Sequence, residues 1–545
     1  MMATDVRRPD IGGVTTASPM VRARWPAVVA CAVMATVLVA WGAWFIARSS
    51  FVIQLVEPHR YFCLFDDAMI SMRYAHNLVL GHGLVWNPGE AVEGYSDPLW
   101  VIVMAGAIGA LGADDAVLAM QLVGLVLAAG LIPVLARIAA RMAPVLGVTA
   151  PATLAATAIA LGALYYPLLY WSLMGLEVGA IALVLAVATA VAVERRPAGA
   201  LVGPAAATLA YFLHPDAVLA FVPLLVAHAY EARADRRFRA RLIAALALAA
   251  LLVIGHAVWR WSYYGAWLPN TYPLKMTGIG LGERLSNGVV FTSLFVREVA
   301  PVIALALVAW LARPGRIAQL LGGPFLVLLA YQVWIGGDGW PYWRFLAPAM
   351  PLLGVLAAAG GARAAVAAAA AAGKRAQPRV IAAWIGLAAA AFVSANARFA
   401  GEIAGVEPPF QADRNKDSVQ RALALSRVLR PEATIAVFYA GAVPYLTGMR
   451  AIDVLGKMDP YVSHLPQTVG PALHAFGMST LPGHNKFDLV HSIEDTQPDY
   501  VERFNWGGAS IVDWAQAHYG IATLRFEDGT KVELAIKRGS SQLIR

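Results

Sequence analysis

Charge is what this sequence lacks. Only 14% of its 545 residues are Asp, Glu, Lys or Arg, about half the share of an ordinary soluble domain. Hydrophobic residues make up 59% and the mean hydropathy is +0.61. A chain this long with so few charges cannot cover a water-facing surface, which excludes a soluble globular protein. Cysteine is nearly absent: Cys31 and Cys63 are the only two, too few for a disulfide framework or a thiolate metal site. There is no Walker loop, and Gly278, Gly280 and Gly282 follow no strand, so nucleotide binding is not suggested. No internal repeat is visible, which weighs against transporters built from duplicated halves. The net charge of +8 would suggest nucleic acid in a soluble chain. In a membrane chain Lys and Arg first set orientation, and no nucleic-acid partner is expected.

What is present is a series of apolar stretches. Trp25 to Ala47 is long enough to span, lacks a convincing cleavage pattern, and follows Arg7, Arg8, Arg22 and Arg24; it reads as an uncleaved anchor with a cytoplasmic N-terminus. Others lie near 116–136, 149–166, 175–193, 199–213, 217–230, 242–259, 300–312, 318–335, 345–361 and 380–395, about eleven spans in all. Leu99 to Leu111 is apolar but only thirteen residues long. Counting it as a span would put Arg137 and Arg141 outside, so it is assigned as an interfacial or re-entrant helix. The inner face then collects nineteen basic residues against five acidic ones, about +14, leaving about −6 elsewhere. Orientation thus follows the positive-inside rule.

The expected fold is an α-helical polytopic plasma-membrane protein with a small extracytoplasmic α/β C-terminal domain. A cytoplasmic tail (1–24) precedes a transmembrane domain (25–395), which includes a first outer loop (48–98) and an interfacial helix (99–112); a soluble domain (396–545) follows. In that domain Thr434 to Tyr439 and Ala451 to Leu455 read as strands and Ser418 to Leu429 as a helix. Ile521 to Phe526 and Lys531 to Ile536 form a hairpin around Asp528-Gly529. The alanine run Ala364 to Ala372 reads as a cytoplasmic hairpin or linker.

The features that look chemical fall on the outer face. Phe65-Asp66-Asp67-Ala68 opens a helical pattern that sets Asp66, Ile70, Arg73 and Asn77 near one stripe. A carboxylate there can act as a general base or bind a cation, and adjacent carboxylates perturb each other; two acids that merely cap a helix are the competing reading. Trp86, Trp261, Trp267, Trp340 and Trp343 could stack on sugars, and an interfacial aromatic belt predicts the same residues.

Taken in order, these segments carry a resemblance. Asp66-Asp67-Ala68 with Arg73 and Asn77, then Gly81-x-Gly83-x-Val85-x-Asn87-x-Gly89-Glu90-x-Val92-Glu93, then Trp100, resembles the first outer loop of the GT-C glycosyltransferases. The branch most similar contains the arabinofuranosyltransferases of mycobacterial cell-wall arabinan. Tyr264-Gly265 to Pro269-Asn270-Thr271 with Lys275, Gly336-Gly337-Asp338 through Tyr342 and Arg344, and Gly448 to Pro460 with Gly483-His484-Asn485-Lys486 look like later family segments. His214-Pro215-Asp216 departs from it, with His where Arg is expected, and Trp171 to Glu177 only loosely resembles the family's small-Gly-x-Glu turn.

The resemblance implies a transferase that takes a sugar, D-arabinofuranose, from a polyprenyl-phosphate donor and passes it to a glycan acceptor on the outer face of the membrane. It implies Asp66 and Asp67 as the catalytic pair, with Asp66 the acting carboxylate, and Arg344, Lys275 and Arg260 as donor-phosphate contacts. Arg73, Asn77, Glu93, Asn270, Asp338, Tyr342 and His214 would contact substrate. No cofactor is required on this reading, and a divalent cation beside the dyad stays an open alternative. The rivals are a glycosyltransferase acting on pilin-like protein and a lipid-linked-sugar flippase.

Overall fold

The computed structural model describes residues 19–54, 57–146, 148, 150–373, 377–469 and 477–544; Arg7, Arg8, Lys374 and Arg375 of the basic clusters lie outside them. The chain forms a membrane-type helical bundle with a small sheet domain at one end. Each expected apolar stretch is helical, including 215–231, where a 3-10 turn (Pro215–Phe221) leads into Val222–Glu231. Among the described residues six helices are long and apolar enough to cross a membrane: Pro26–Ser49, Ala113–Leu146, Arg236–Tyr264, Arg316–Ile335, Ala347–Ala371 and Gln377–Ala404. Two bent pairs bring the count to eight, Pro151–Ala163 with Tyr166–Leu173 (56°) and Leu281–Glu298 with Ala300–Ala312 (81°). Pro98–Leu111, Val178–Val193 and Gly199–Leu213 are shorter. At 1.5 Å per residue they fall short of a ~30 Å hydrocarbon core, so the figure of about eleven spans included helices below spanning length.

Lipid is the solvent this surface requires. Along Arg236–Tyr264, Ile243, Leu248, Leu251, Ile254 and Val258 are all at least half exposed, a continuous apolar face that water would not tolerate. Inside the bundle, small residues bring backbones together. A side chain on Gly360 would meet the Leu305 carbonyl at 1.8 Å, so only glycine lets Met350–Ala372 lie against Ala300–Ala312.

The C-terminal domain is the small α/β unit expected. Its five-stranded sheet runs in the order Arg450–Asp453, Thr434–Val437, Tyr500–Val501, Lys531–Lys537, Tyr519–Arg525. The first three strands are parallel and the last two pair antiparallel. The hairpin turns through Asp528-Gly529, where the Thr530 amide donates to Asp528 Oδ1 at 2.9 Å.

This domain is bonded to the loop that follows the first long helix. Arg73, buried on helix Asp66–Val79, donates to the carbonyls of Trp86 (2.6 Å), Met449 (2.8 Å) and Pro444 and to Asn87 Oδ1 at 3.1 Å. Asn87 in turn exchanges hydrogen bonds with the backbone of Ala451, at 2.8 and 3.1 Å. Loop and domain therefore form one wall above the helices.

Candidate active site

The site begins at the first turn of helix Asp66–Val79. Neighbouring positions on a helix point about 100° apart, so the two acids face different surroundings. Asp66 Oδ1 accepts the amides of Gly441 and Ala442, each at 3.1 Å, and so caps a helix of the C-terminal domain instead of its own. Gly441 permits this approach, since a Cβ there would lie 2.1 Å from the Asp66 carbonyl. Beside Asp66 is a small pocket lined by Trp340, Arg414 and Tyr439. Burial, and then the charge of Asp67, push the Asp66 carboxyl up to about 7.

Asp67 faces a different, larger chamber. Its Oδ2 accepts from Arg344 Nη1 at 2.6 Å, and its Oδ1 from the Lys457 ammonium. Burial alone would raise this carboxyl, but Lys457 and Arg344 outweigh it and hold it well below the usual range. Arg344 also grips Asp338 through two parallel bonds, Nε to Oδ2 at 2.7 Å and Nη2 to Oδ1 at 2.8 Å, the strong bidentate geometry. The loop that presents both residues turns through Gly336 and Gly337, each left-handed.

The chamber has about 580 Å³ of atom-free space and is lined by Asp67, Ser71, Asp97, Glu177, His214, Lys275, Arg344 and Lys457. Two further cavities share its His214 and Phe345. One is a larger cleft, about 1170 Å³, whose walls include Tyr211, Leu268, Tyr272, Tyr331, Trp334 and Ile335 along with Arg260 and Lys275. The other reaches between membrane helices past Val178, Ile181, Ala217 and Leu328. A polar chamber thus opens onto apolar walls, with Lys275 where chamber and cleft meet.

Several groups at this junction lack partners. Among the described residues the Lys275 ammonium makes no hydrogen bond or ion pair; the Phe345 ring centroid lies 5.9 Å away. Burial, then Arg344, bring its pKa down to about 8. The Glu177 carboxyl accepts from its own backbone amide and makes no ion pair among the described residues, and burial followed by the charge of Asp97 pushes it up to about 8. Asp97, which accepts from Ser71 Oγ at 2.9 Å, is pushed up by burial to about 6. His214 Nδ1 is buried without a hydrogen-bond partner among the described residues, and burial lowers this imidazole to about 4. Buried polar groups are normally satisfied, so an unfilled set converging on one cavity marks a ligand site.

The remaining residues singled out in the sequence lie elsewhere. Arg73 is a strut between loop and domain, and Asn77 donates to the carbonyls of Val85 and Trp86, both at 2.9 Å. Glu93 and Arg260 form a buried pair at 2.5 Å, with Arg260 also lining the cleft. Asn270 bonds the Gly456 and Lys457 carbonyls at 3.0 and 2.9 Å and so positions the segment carrying Lys457. Tyr342 stacks on Phe410 and bonds Glu402, away from the chamber. Lys486 is fully occupied by Pro273, Thr277 and Ser463, and His484 packs against Trp340. Sequence reasoning passed over Lys457 and Asp97 and singled out Glu177 only as the end of a turn that loosely resembles the family's. Glu177 follows a left-handed Gly175, and that turn was the one local signal for it. Among the described residues no group of three or more His, Cys, Asp or Glu side chains is arranged to hold a metal ion.

Residues 409–535 match the model of a domain of unknown function, DUF8728. The match covers the C-terminal sheet domain, including Arg414, Tyr439 and Lys457. No curated protein matches the chain. Two crystal structures of ArnT from Cupriavidus metallidurans are similar to it. The apo structure is 15% identical, with 79% of this chain and 86% of that chain covered and a TM-score of 0.48. The structure bound to undecaprenyl phosphate is 14% identical, with 78% and 85% covered and a TM-score of 0.49.

Proposed function

We propose that this chain is a membrane glycosyltransferase of the GT-C kind that moves a sugar from a polyprenyl-phosphate donor to a glycan acceptor on the outer face of the membrane. The observation that carries this reading is the unpaired Lys275 at the junction between an apolar cleft and a carboxylate-lined chamber. A lipid phosphate sugar needs those three environments in that order: hydrocarbon for the tail, a cation for the phosphate, and polar groups for the sugar. Lys275 and Arg344 take the phosphate; Asp67, Glu177 and Asp97 face the sugar hydroxyls. The small pocket of Trp340, Arg414 and Tyr439 beside Asp66 offers aromatic rings to the acceptor.

In the reaction the acceptor hydroxyl gives its proton to Asp66 while its oxygen bonds to the anomeric carbon. The bond from that carbon to the phosphate oxygen breaks, and its electron pair leaves with polyprenyl phosphate, whose charge Lys275 and Arg344 offset. A carboxyl near 7 suits this work at neutral pH, whereas Asp67, clamped by two cations, is a weak base and a good positioning group. D-Arabinofuranose and an arabinan acceptor are the substrates the sequence resemblance favours. The test is purified full-length protein in detergent with a synthetic polyprenyl-phospho-arabinofuranose and a short arabinan. Transfer supports the proposal. Transfer only from other polyprenyl-phospho-sugars corrects the sugar, transfer only to a protein acceptor corrects the acceptor, and donor movement across liposomes without transfer replaces the enzyme with a flippase.

A further inference from the structure

A second cavity lies at the other end of the bundle. Helix Arg316–Ile335 has 20 residues, about 30 Å at 1.5 Å per residue. Arg316 at its start and the Gly337-Asp338 turn after its end therefore face opposite leaflets. Around Arg316 is a groove with about 750 Å³ of atom-free space. Its walls are apolar, including Val145, Leu146, Ala309 and Leu356, and its rim carries Arg195, Arg313 and Arg316. Val145 is 44% exposed, so the groove opens sideways, where the bundle meets lipid.

The rim charges are not balanced by the protein. Arg316 pairs with Glu231 at 2.7 Å. The nearby Glu194 is already held by Arg137, Arg141 and Arg196 at 2.7, 3.2 and 2.5 Å. Arg195 and Arg313 line the groove with no side-chain hydrogen bond or ion pair among the described residues. Two uncompensated guanidinium groups thus stand at headgroup depth over an apolar slot. Water gains nothing in the slot, and a free anion would leave it empty. A molecule with a phosphate at one end and an acyl chain at the other satisfies both.

We infer that this groove binds one anionic glycerophospholipid from the leaflet opposite the chamber, its phosphate held by Arg195 and Arg313 and an acyl chain lying along Val145, Leu146 and Leu356. A zwitterionic lipid would set its own ammonium against the arginines, so selectivity for net negative headgroups follows. The site does not depend on the transfer chemistry.

Native mass spectrometry of the full-length protein in detergent, titrated with dioleoyl phosphatidylglycerol or dioleoyl phosphatidylcholine, tests this. The expected result is a single phosphatidylglycerol adduct with a half-saturation concentration at least about tenfold below that of phosphatidylcholine. In Arg195→Gln/Arg313→Gln that advantage should vanish while phosphatidylcholine binding and the melting temperature hold. Both side chains are exposed at the rim, and the wild-type comparison of the two lipids is decisive by itself if the variant fails to fold. Equal binding of the two lipids by the wild type, or an undiminished advantage in the folded variant, would overturn the site. Undecaprenyl phosphate binding that is lost in the double variant and kept in Lys275→Gln would overturn the assignment to a glycerophospholipid.

Discussion

Arg73 and Arg344 are both buried arginines at the end of the bundle that carries the sheet domain, and both were singled out in the sequence. Their surroundings differ in one respect. Arg73 spends four of its five donors on three carbonyls and one amide oxygen, all of them protein groups. Arg344 is held too, by three bonds to Asp67 and Asp338, but it keeps donors to spare and shares its chamber with Lys275 and Glu177, neither of which has an ion pair among the described residues. A closed polar network holds a fold together; an open one at a cavity wall is poised for something that is absent from the chain. Burial and charge alone would not separate the two.

The comparison can be broken at either site. The largest effect is expected for Asp66→Asn, which should lower turnover by roughly 10²- to 10⁴-fold, the usual contribution of a general base, with donor binding and melting temperature retained. Wild-type activity in that variant would remove Asp66 from the chemistry. Arg73→Met should act on stability instead. Stranding buried carbonyls costs on the order of 3 kcal/mol, read as a clear fall in melting temperature, while the protein that remains folded keeps its kcat; a fall in kcat without a change in melting would move Arg73 into the site.

Lys275→Gln should raise the donor KM about 10- to 100-fold, the loss of one charge-assisted bond to phosphate. Because the wild-type ammonium makes no hydrogen bond or ion pair among the described residues, the melting temperature should hold or rise. The same variant sharpens the pH profile. Asp66 must be ionised to take a proton, so activity should climb as pH rises through about 7. Lys275 must be protonated to hold phosphate, so kcat/KM should fall as pH passes about 8. Lys275→Gln should abolish the alkaline limb and keep the acid one; survival of both limbs would detach Lys275 from donor binding. The smallest effect is expected at Glu177, pushed up to about 8 and so mostly protonated at neutral pH. Glu177→Gln preserves a neutral hydrogen-bonding group and should change kcat/KM by less than about threefold at pH 7.

Much of this was legible in residue order. Apolar runs specify membrane helices because hydrocarbon length and backbone satisfaction leave no other element. The C-terminal strands were readable from β-branched runs bounded by turn residues such as Asp528-Gly529. The acid dyad announced itself as two carboxylates at a helix start. Less legible were Lys457 and Asp97 and the role of Glu177, each in a local context that reads as an ordinary turn. Which acid faces which cavity was also hidden, since a stripe drawn on an isolated helix grouped Asp66 with Arg73 and Asn77 and left Asp67 as an accessory.

By itself, then, the sequence determined the solvent of this protein, its helical bundle and the presence of a sheet domain, because these depend on composition and short-range periodicity. Tertiary structure decided which charged groups are satisfied. Arg73 became a strut through carbonyls of Pro444 and Met449, more than three hundred residues away, whereas Lys275 makes no hydrogen bond or ion pair among the described residues. Pairing is a property of three-dimensional proximity, and in a low-dielectric interior it is pairing that separates scaffold from site.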